Sequence, residues 1–269
     1  MPNLNIAASR PALAARGRWR ILRAAAAIVF AAIAVEGIGY AGDRDALWTM
    51  VHDLCVRDKK ATGLAFPCSE VDLSGGEDAG FAIFRDIRSR SHLLLIPTRR
   101  LSGVEDPLVG TGGLPNYWAD AWNARTRIAL DGGKDLPRET FGMAINSSVT
   151  RSQDQLHIHV DCVRPDVSDK LSRHARAITA QWSVLPVRLA GQVYKARRLD
   201  GEELKQDPFD LVREDARASS TPMGEVTIGV IGARFRDGKE GFVLLVGRAG
   251  RGALAHAEDM LDHRCALAK

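Results

Sequence analysis

The sequence predicts an α+β domain built on a mostly antiparallel sheet with flanking helices, preceded by one N-terminal transmembrane helix. Three observations predict it. Short apolar stretches bounded by Gly, Pro, Asn or Asp recur along the chain, and segments between them carry apolar residues at helical spacing. An alanine-rich apolar run stands near the N-terminus. The chain has 269 residues, of which 45% are hydrophobic, enough for one large core or two small ones. Its formal net charge of +4 is a mild excess, concentrated in part at Arg10, Arg16, Arg18, Arg20 and Arg23. The remainder is nearly balanced, so charge gives no case for nucleic acid as a partner.

Those arginines define a basic segment, residues 1–23. The apolar run Ala24 to Ala41, interrupted only by Glu36, follows and is just long enough to cross a hydrocarbon core of about 30 Å as a helix. Arginine before it and Asp43-Arg44-Asp45 after it predict a cytoplasmic N-terminus. The expectation is a single-pass membrane protein with an exported domain over residues 42–269. The rival reading is a signal peptide cleaved just after Ala41, with small residues at Gly39 and Ala41. Both export the body of the chain. Cys55, Cys68, Cys162 and Cys265 are then free to form disulfides, and four cysteines allow three pairings. The preferred pairing is Cys55 with Cys68, closing a short loop, and Cys162 with Cys265.

After the anchor, Leu47, Trp48, Val51, Leu54 and Cys55 predict a short amphipathic helix over Asp45 to Val56. Lys59 to Gly80 reads as loop, broken by Pro67, Ser74, Gly75 and Gly76. Phe81 to Phe84 and Leu93 to Ile96 form a predicted hairpin, and Thr98 to Gly113 a polar, glycine-rich connection. A helix is predicted from Pro115 to about Leu130, with Trp118 and Trp122 in the core. Phe141 to Ile145 is a strand, followed by the polar stretch Asn146 to Gln153. From Val167 to about Trp182 helical spacing returns, with Asp166 or Ser168 as its cap. A strand near Val193 to Arg198, a helix over Asp207 to Asp215, strands at Val226 to Ala233 and Phe242 to Val246, and a last helix near Leu254 to His263 complete the expectation. The turn Arg236-Asp237-Gly238-Lys239 joins the last two strands.

Gln155-Leu156-His157-Ile158-His159-Val160-Asp161-Cys162 is the stretch with the most chemistry. Read as a strand, it sends Gln155, His157 and His159 to one face and Leu156, Ile158 and Val160 to the other. Same-face neighbours lie roughly 6.6 Å apart, close enough for both imidazoles to address one phosphate or one metal ion. Three readings follow. A metal site needs a third ligand, and no spacing among the other histidines nominates one. Two histidines hydrogen-bonded in an ordinary sheet form the second reading. The third is nucleophilic catalysis, in which neutral imidazole attacks phosphorus and water later cleaves the phosphoramidate.

His92-Leu93-Leu94-Leu95-Ile96-Pro97-Thr98, the polar turn from Asn146 and Gln155-x-His157-x-His159 together resemble the histidine-triad (HIT) superfamily of nucleotide hydrolases and transferases. Pro115-Asn116-Tyr117-Trp118, Ala144-Ile145-Asn146-Ser147, His157-Ile158-His159, Cys162-x-Arg164-Pro165-Asp166-Val167 and Phe242-Val243-Leu244-Leu245 more closely resemble the bacterial CDP-diacylglycerol pyrophosphatase family. The resemblance implies a HIT-like fold and hydrolysis of CDP-diacylglycerol to CMP and phosphatidate by a periplasmic domain anchored in the inner membrane, with no cofactor and no metal. It also implies His157 as nucleophile, forming a cytidylyl-histidine, and His159 at the phosphate. Gln155 departs from the pattern, standing where the superfamily has histidine. Its amide could still donate to a phosphoryl oxygen. Asn146, Ser152 and Gln153, with Arg151 as a cation, are candidate substrate contacts. Lys195, Arg197 and Arg198 form a basic cluster that could meet lipid headgroups. Two rival functions are a HIT-type hydrolase or transferase acting on a soluble nucleotide diphosphate, and a periplasmic binding protein with a decayed site. The oligomeric state is left open.

Overall fold

The computed structural model describes residues 42–86, 89, 91–128, 136–250 and 253–268. The expected basic segment 1–23 and anchor 24–41 lie outside the described residues. Among the described residues no helix is long and apolar enough to cross a membrane. The architecture is α+β. One antiparallel sheet of nine strands runs in the order β1-β2-β3-β5-β4-β8-β9-β7-β6. The strands are β1 (Glu70–Asp72), β2 (Phe81–Arg85), β3 (Leu93–Pro97), β4 (Phe141–Ile145), β5 (Ile158–Cys162), β6 (Ser183–Val184), β7 (Lys195–Asp200), β8 (Val226–Arg234) and β9 (Glu240–Arg248). The expected hairpins β2–β3 and β8–β9 are present, the second closed through Gly238 at φ +78°.

Helix α1 begins at Ala46–Thr49, passes through a π-helical stretch Met50–Val56 and ends as Arg57–Thr62. It outruns the expected end at Val56 because its last turns bury nothing, so no apolar period marks them. β1 was hidden for a similar reason: three residues with one buried side chain, Val71, are too short to show alternation. Helix α2 (Tyr117–Ala124) is capped by Asn116, whose side chain accepts from Ala119 N at 3.2 Å. It is shorter than expected, passing into a 3-10 turn at Arg125–Arg127. Helix α3 (Pro165–Arg173) starts with its proline in the first turn, not at the expected Asp166 or Ser168 cap. His174 Nδ1 meets Lys170 O at 2.9 Å and closes its last turn, well short of Trp182. Helix α4 (Pro208–Ala218) is capped by Asp207, which accepts from Phe209 N at 2.8 Å. The expected last helix is only a 3-10 turn, Ala257–Met260.

The sheet has two different faces. Met143, Ile145, Ile158, Val160, Val230 and Leu244 point to one, where Trp118 and Trp122 of α2 and Phe209 of α4 cover them in the largest core. Full burial of each such side chain contributes about 1.5–3 kcal/mol. On the opposite face lie two smaller cores. Leu47, Met50, Val51, Cys55 and Val56 of α1 pack on Ala82, Phe84 and Ile96 at the β1 end. Met260, Leu261, Val167 and Leu171 pack on Ala144, Ile231, Val243 and Leu245 further along. The space between them carries His159.

The C-terminal segment reaches this face because the sheet is thin there. A Cβ on Gly229 would lie 2.5 Å from Met260 Cε, and one on Gly142 would lie 3.0 Å from Leu261 Cδ2. Backbone bonds then fix the segment: Arg164 N donates to Met260 O at 2.9 Å and Asp262 N to Cys162 O at 2.8 Å. Disulfides join Cys55 to Cys68 and Cys162 to Cys265, the expected pairing. The second spans 103 residues. Replacing Cys162 and Cys265 together by serine is expected to cost about 3–5 kcal/mol of stability. Urea unfolding followed by circular dichroism measures it, with earlier proteolysis near the C-terminus as the accompanying sign.

Candidate active site

β5 is paired on both sides, with Leu94 and Ala144 opposite His159. That register fixes the neighbours of the histidine. His92 precedes β3 by one residue and lies diagonally from His159 on the same face, within reach of a side-chain contact. Asn146, two residues past Ala144, leaves the end of β4 on this face as well. The motif strand is shorter than expected, since β5 begins at Ile158 and not at Gln155. Leu156 N donates to Leu101 O at 2.7 Å, so the residues before β5 bond to the loop after β3 instead of to a neighbouring strand. His157 and His159 nevertheless meet edge to face, with ring centroids 4.9 Å apart.

The hydrogen positions of the histidines follow from their partners. His157 Nδ1 lies 2.7 Å from the backbone oxygen of Gln155. A carbonyl oxygen only accepts, so Nδ1 carries the proton and the lone pair of neutral imidazole sits on Nε2. His159 Nδ1 is 3.0 Å from His92 Nε2, and His159 Nε2 is 3.3 Å from Glu258 Oε2. Burial above all, then the neighbouring His157, holds the His159 pKa well below its ordinary value. His159 is therefore neutral with a single N–H. Beside a carboxylate that proton belongs on Nε2, leaving Nδ1 to accept from His92 Nε2–H. The Nε2–H of His159 is aimed poorly at Glu258 and makes no hydrogen bond among the described residues, although it is buried. A buried donor in that position is waiting for an acceptor.

Glu258 comes from the C-terminal segment. Asn146 grips it twice, through Nδ2 to Oε2 at 2.9 Å and through Oδ1 from Glu258 N at 3.2 Å. His256 Nε2 accepts from the other Asn146 proton at 3.0 Å, its Nδ1 facing Asp259 at 3.1 Å. His263 stands over His92, with ring centroids 4.4 Å apart, and its Nδ1 donates to the fully buried Asp161 at 2.6 Å. That bond, first among the causes, raises the His263 pKa. His263 Nε2 lies 3.8 Å from Glu258 Oε1.

Among the described residues one group of possible metal ligands forms, and it includes His159 but not His157. Donor atoms of His92, His159 and Glu258 come within 4.8 Å of one another. Yet His92 and Glu258 address opposite nitrogens of His159, which point away from each other, so the three do not converge on one cation in this arrangement.

Of the expected substrate contacts, Asn146 belongs to this cluster. Gln155 is fully buried, with Nε2 donating to Pro97 O at 3.0 Å and Arg99 O at 2.9 Å and Oε1 accepting from Leu101 N at 3.3 Å. Arg151 donates to Glu105 at 2.6 and 2.7 Å and to Asp154 at 2.9 Å. Gln153 accepts from Leu47 N at 2.8 Å and docks the start of α1. Ser152 is exposed on the same turn. These four side chains stand on the turn that carries the chain into β5, and Gln155, Arg151 and Gln153 tie it to neighbouring segments. A narrow gap lined by Asn146, Arg151, Gln155 and His157 runs behind them. Lys195 pairs with Asp215, and Arg198 with Asp237 at 2.7 Å, so two members of the basic cluster are bound to carboxylates.

Sequence reasoning missed Asp161, His256, Glu258 and His263, and took His92 only as part of a family resemblance. The available signal was Cys265: its pairing with Cys162 brings the short stretch containing three of them to the end of the motif strand.

A family model described as CDP-diacylglycerol pyrophosphatase matches residues 42–269 of the chain. A CDP-diacylglycerol pyrophosphatase of Yersinia pestis is 34% identical over 253 residues, covering 92% of this chain and 95% of the relative.

Gln155→Leu is expected to strand the Pro97 and Arg99 carbonyls and the Leu101 N–H. The expected loss is about 2–4 kcal/mol in chemical denaturation. The Gln155 backbone oxygen, and with it the His157 tautomer, is retained in that variant.

Proposed function

The chain belongs to the CDP-diacylglycerol pyrophosphatase family, and on that premise we propose how its site opens the phosphoric anhydride of CDP-diacylglycerol, giving CMP and phosphatidate. His157 Nε2 attacks the cytidylyl phosphorus. The P–O bond to the bridging oxygen breaks, and phosphatidate leaves with the electron pair. The remaining cytidylyl-histidine carries a positive imidazolium whose Nδ1–H stays bonded to the Gln155 carbonyl. Water then attacks phosphorus, the P–N bond breaks with its electrons returning to Nε2, and CMP departs. The observation that carries this reading is the 2.7 Å contact between His157 Nδ1 and Gln155 O, which presents the lone pair at Nε2.

His159 supports it. Its buried Nε2–H, without a hydrogen bond among the described residues, suits a non-bridging phosphoryl oxygen, and a donor already oriented stabilises charge that develops during attack. His92 holds that donor by occupying Nδ1. Both Asn146 amide protons go to Glu258 and His256, so Asn146 acts by holding Glu258 beside the phosphoryl groups. Gln155 contributes through its backbone oxygen and by pinning the loop after β3, which is how a HIT-like site works with glutamine at the first triad position. Arg151, Ser152 and Gln153 shape the turn around it.

The apolar run Ala24 to Ala41 would hold the domain beside a substrate whose acyl chains stay in the bilayer. Two disulfides suit an oxidising compartment, in keeping with a single-pass inner-membrane protein whose domain is periplasmic.

With the cytidylyl phosphate radiolabelled, acid-stable label is not expected, whereas alkaline quenching should leave label on His157. Label on another residue would sink the mechanism. His157→Ala should lower turnover on the order of 10⁴-fold or more, with the fold intact by circular dichroism. Since no step uses a metal, chelator should leave turnover unchanged, and a loss restored by added metal would count against this route. Product analysis with soluble nucleotide diphosphates separates a lipid-specific enzyme from a general one.

A further inference from the structure

We propose that Glu258 is the general base of the hydrolytic half-reaction and that His263, oriented by Asp161, returns the proton to solvent. The inference rests on the cytidylyl-histidine reading above. Breaking that intermediate requires water to lose a proton as it attacks phosphorus. Three observations give the task to Glu258.

The first is position. Glu258 Oε2 stands 3.3 Å from His159 Nε2, the buried donor to the phosphoryl group, so a water beside that group is within reach of the carboxylate. The second is that the other titratable groups packed here among the described residues are otherwise engaged. His159 carries its proton on Nε2 and cannot take another there, His157 is bonded to phosphorus, and His92 points into His159. Asp161 is fully buried against His263, and Asp259 faces His256. The third is that Glu258 is held rigidly yet not neutralised. Asn146 bonds it from side chain and backbone, and no Lys or Arg pairs with it among the described residues.

The exit route follows from the same proton positions. His263 donates Nδ1–H to Asp161, so in its neutral form the Nε2 lone pair faces Glu258 Oε1, 3.8 Å away, and can take a proton from it. Its side chain is 47% exposed, so a proton that arrives there reaches water. The step balances. Water's oxygen bonds to phosphorus, the P–Nε2 electrons return to His157, and the water proton passes to Glu258, then to His263 and out. CMP leaves, and His157 is again neutral with its proton on Nδ1.

The test is rapid-quench kinetics on Glu258→Gln with CDP-diacylglycerol labelled in the cytidylyl phosphate. Glutamine keeps the volume and an oxygen for Asn146. The expected result is a burst of phosphatidate of about one per site, label held on the protein, and CMP release slowed about 10²–10⁴-fold. Hydroxylamine, a stronger nucleophile than water, should discharge the labelled variant faster than water does, which also shows that it is folded. His263→Gln should slow the same phase by less and leave the burst intact. CMP release at the wild-type rate overturns the proposal, as does equal slowing of both products without accumulated label. Absence of label in every variant, with His157→Ala still active, removes the underlying reading instead.

Discussion

The central position of β5 between β3 and β4 is the constraint on which the rest of the site depends. A strand paired on both edges has no freedom of register, because a slip by one residue would turn Ile158 and Val160 out of the main core and His159 into it. The apolar face of β5 thus holds the polar face in place. His92 reaches His159, and Asn146 reaches Glu258 beside it, only because their own strands are locked to the same ladder. The nucleophile, the phosphoryl donor and its supporting groups inherit their geometry from hydrophobic burial on the far side of the sheet.

The second face of the sheet is divided, and that division creates the site. Helix α1 covers one end, and the C-terminal segment with α3 covers the other. Over β4 and β8 the small residues Gly142, Ala144 and Gly229 let the C-terminal segment lie close to the backbone. The Cys162–Cys265 disulfide joins the end of that segment to the strand bearing His159. An irregular stretch with little secondary structure can present His256, Glu258 and His263 reliably because its far end is covalently tied to β5 and its backbone is bonded to Cys162 and Arg164.

Within the site the imidazoles are kept uncharged where charge would be harmful. His159 is buried among other histidines, so its proton is held by position and not by titration. His263, half in water and bonded to Asp161, is instead the imidazole with a raised affinity for protons. Groups of one residue type are thereby given separate tasks by solvent exposure and by a single carboxylate.

What the sequence determined by itself was whatever has a short period. Short apolar runs at Phe141 to Ile145, Val226 to Ala233 and Phe242 to Val246 marked buried strands, and the spacing of Trp118 and Trp122 marked a helix face. His157 and His159, two residues apart, were visible as a pair for the same reason. The tertiary structure decided the rest. Gln155 read as a polar residue on a strand face, whereas its partners at Pro97, Arg99 and Leu101 are supplied by a loop that no local pattern positions. Glu258 lies about a hundred residues from His159 along the chain, and only strand pairing, close approach over glycine and the disulfide bring them together. Periodicity records which way a side chain points; what it meets there is settled by chain segments that arrive from elsewhere.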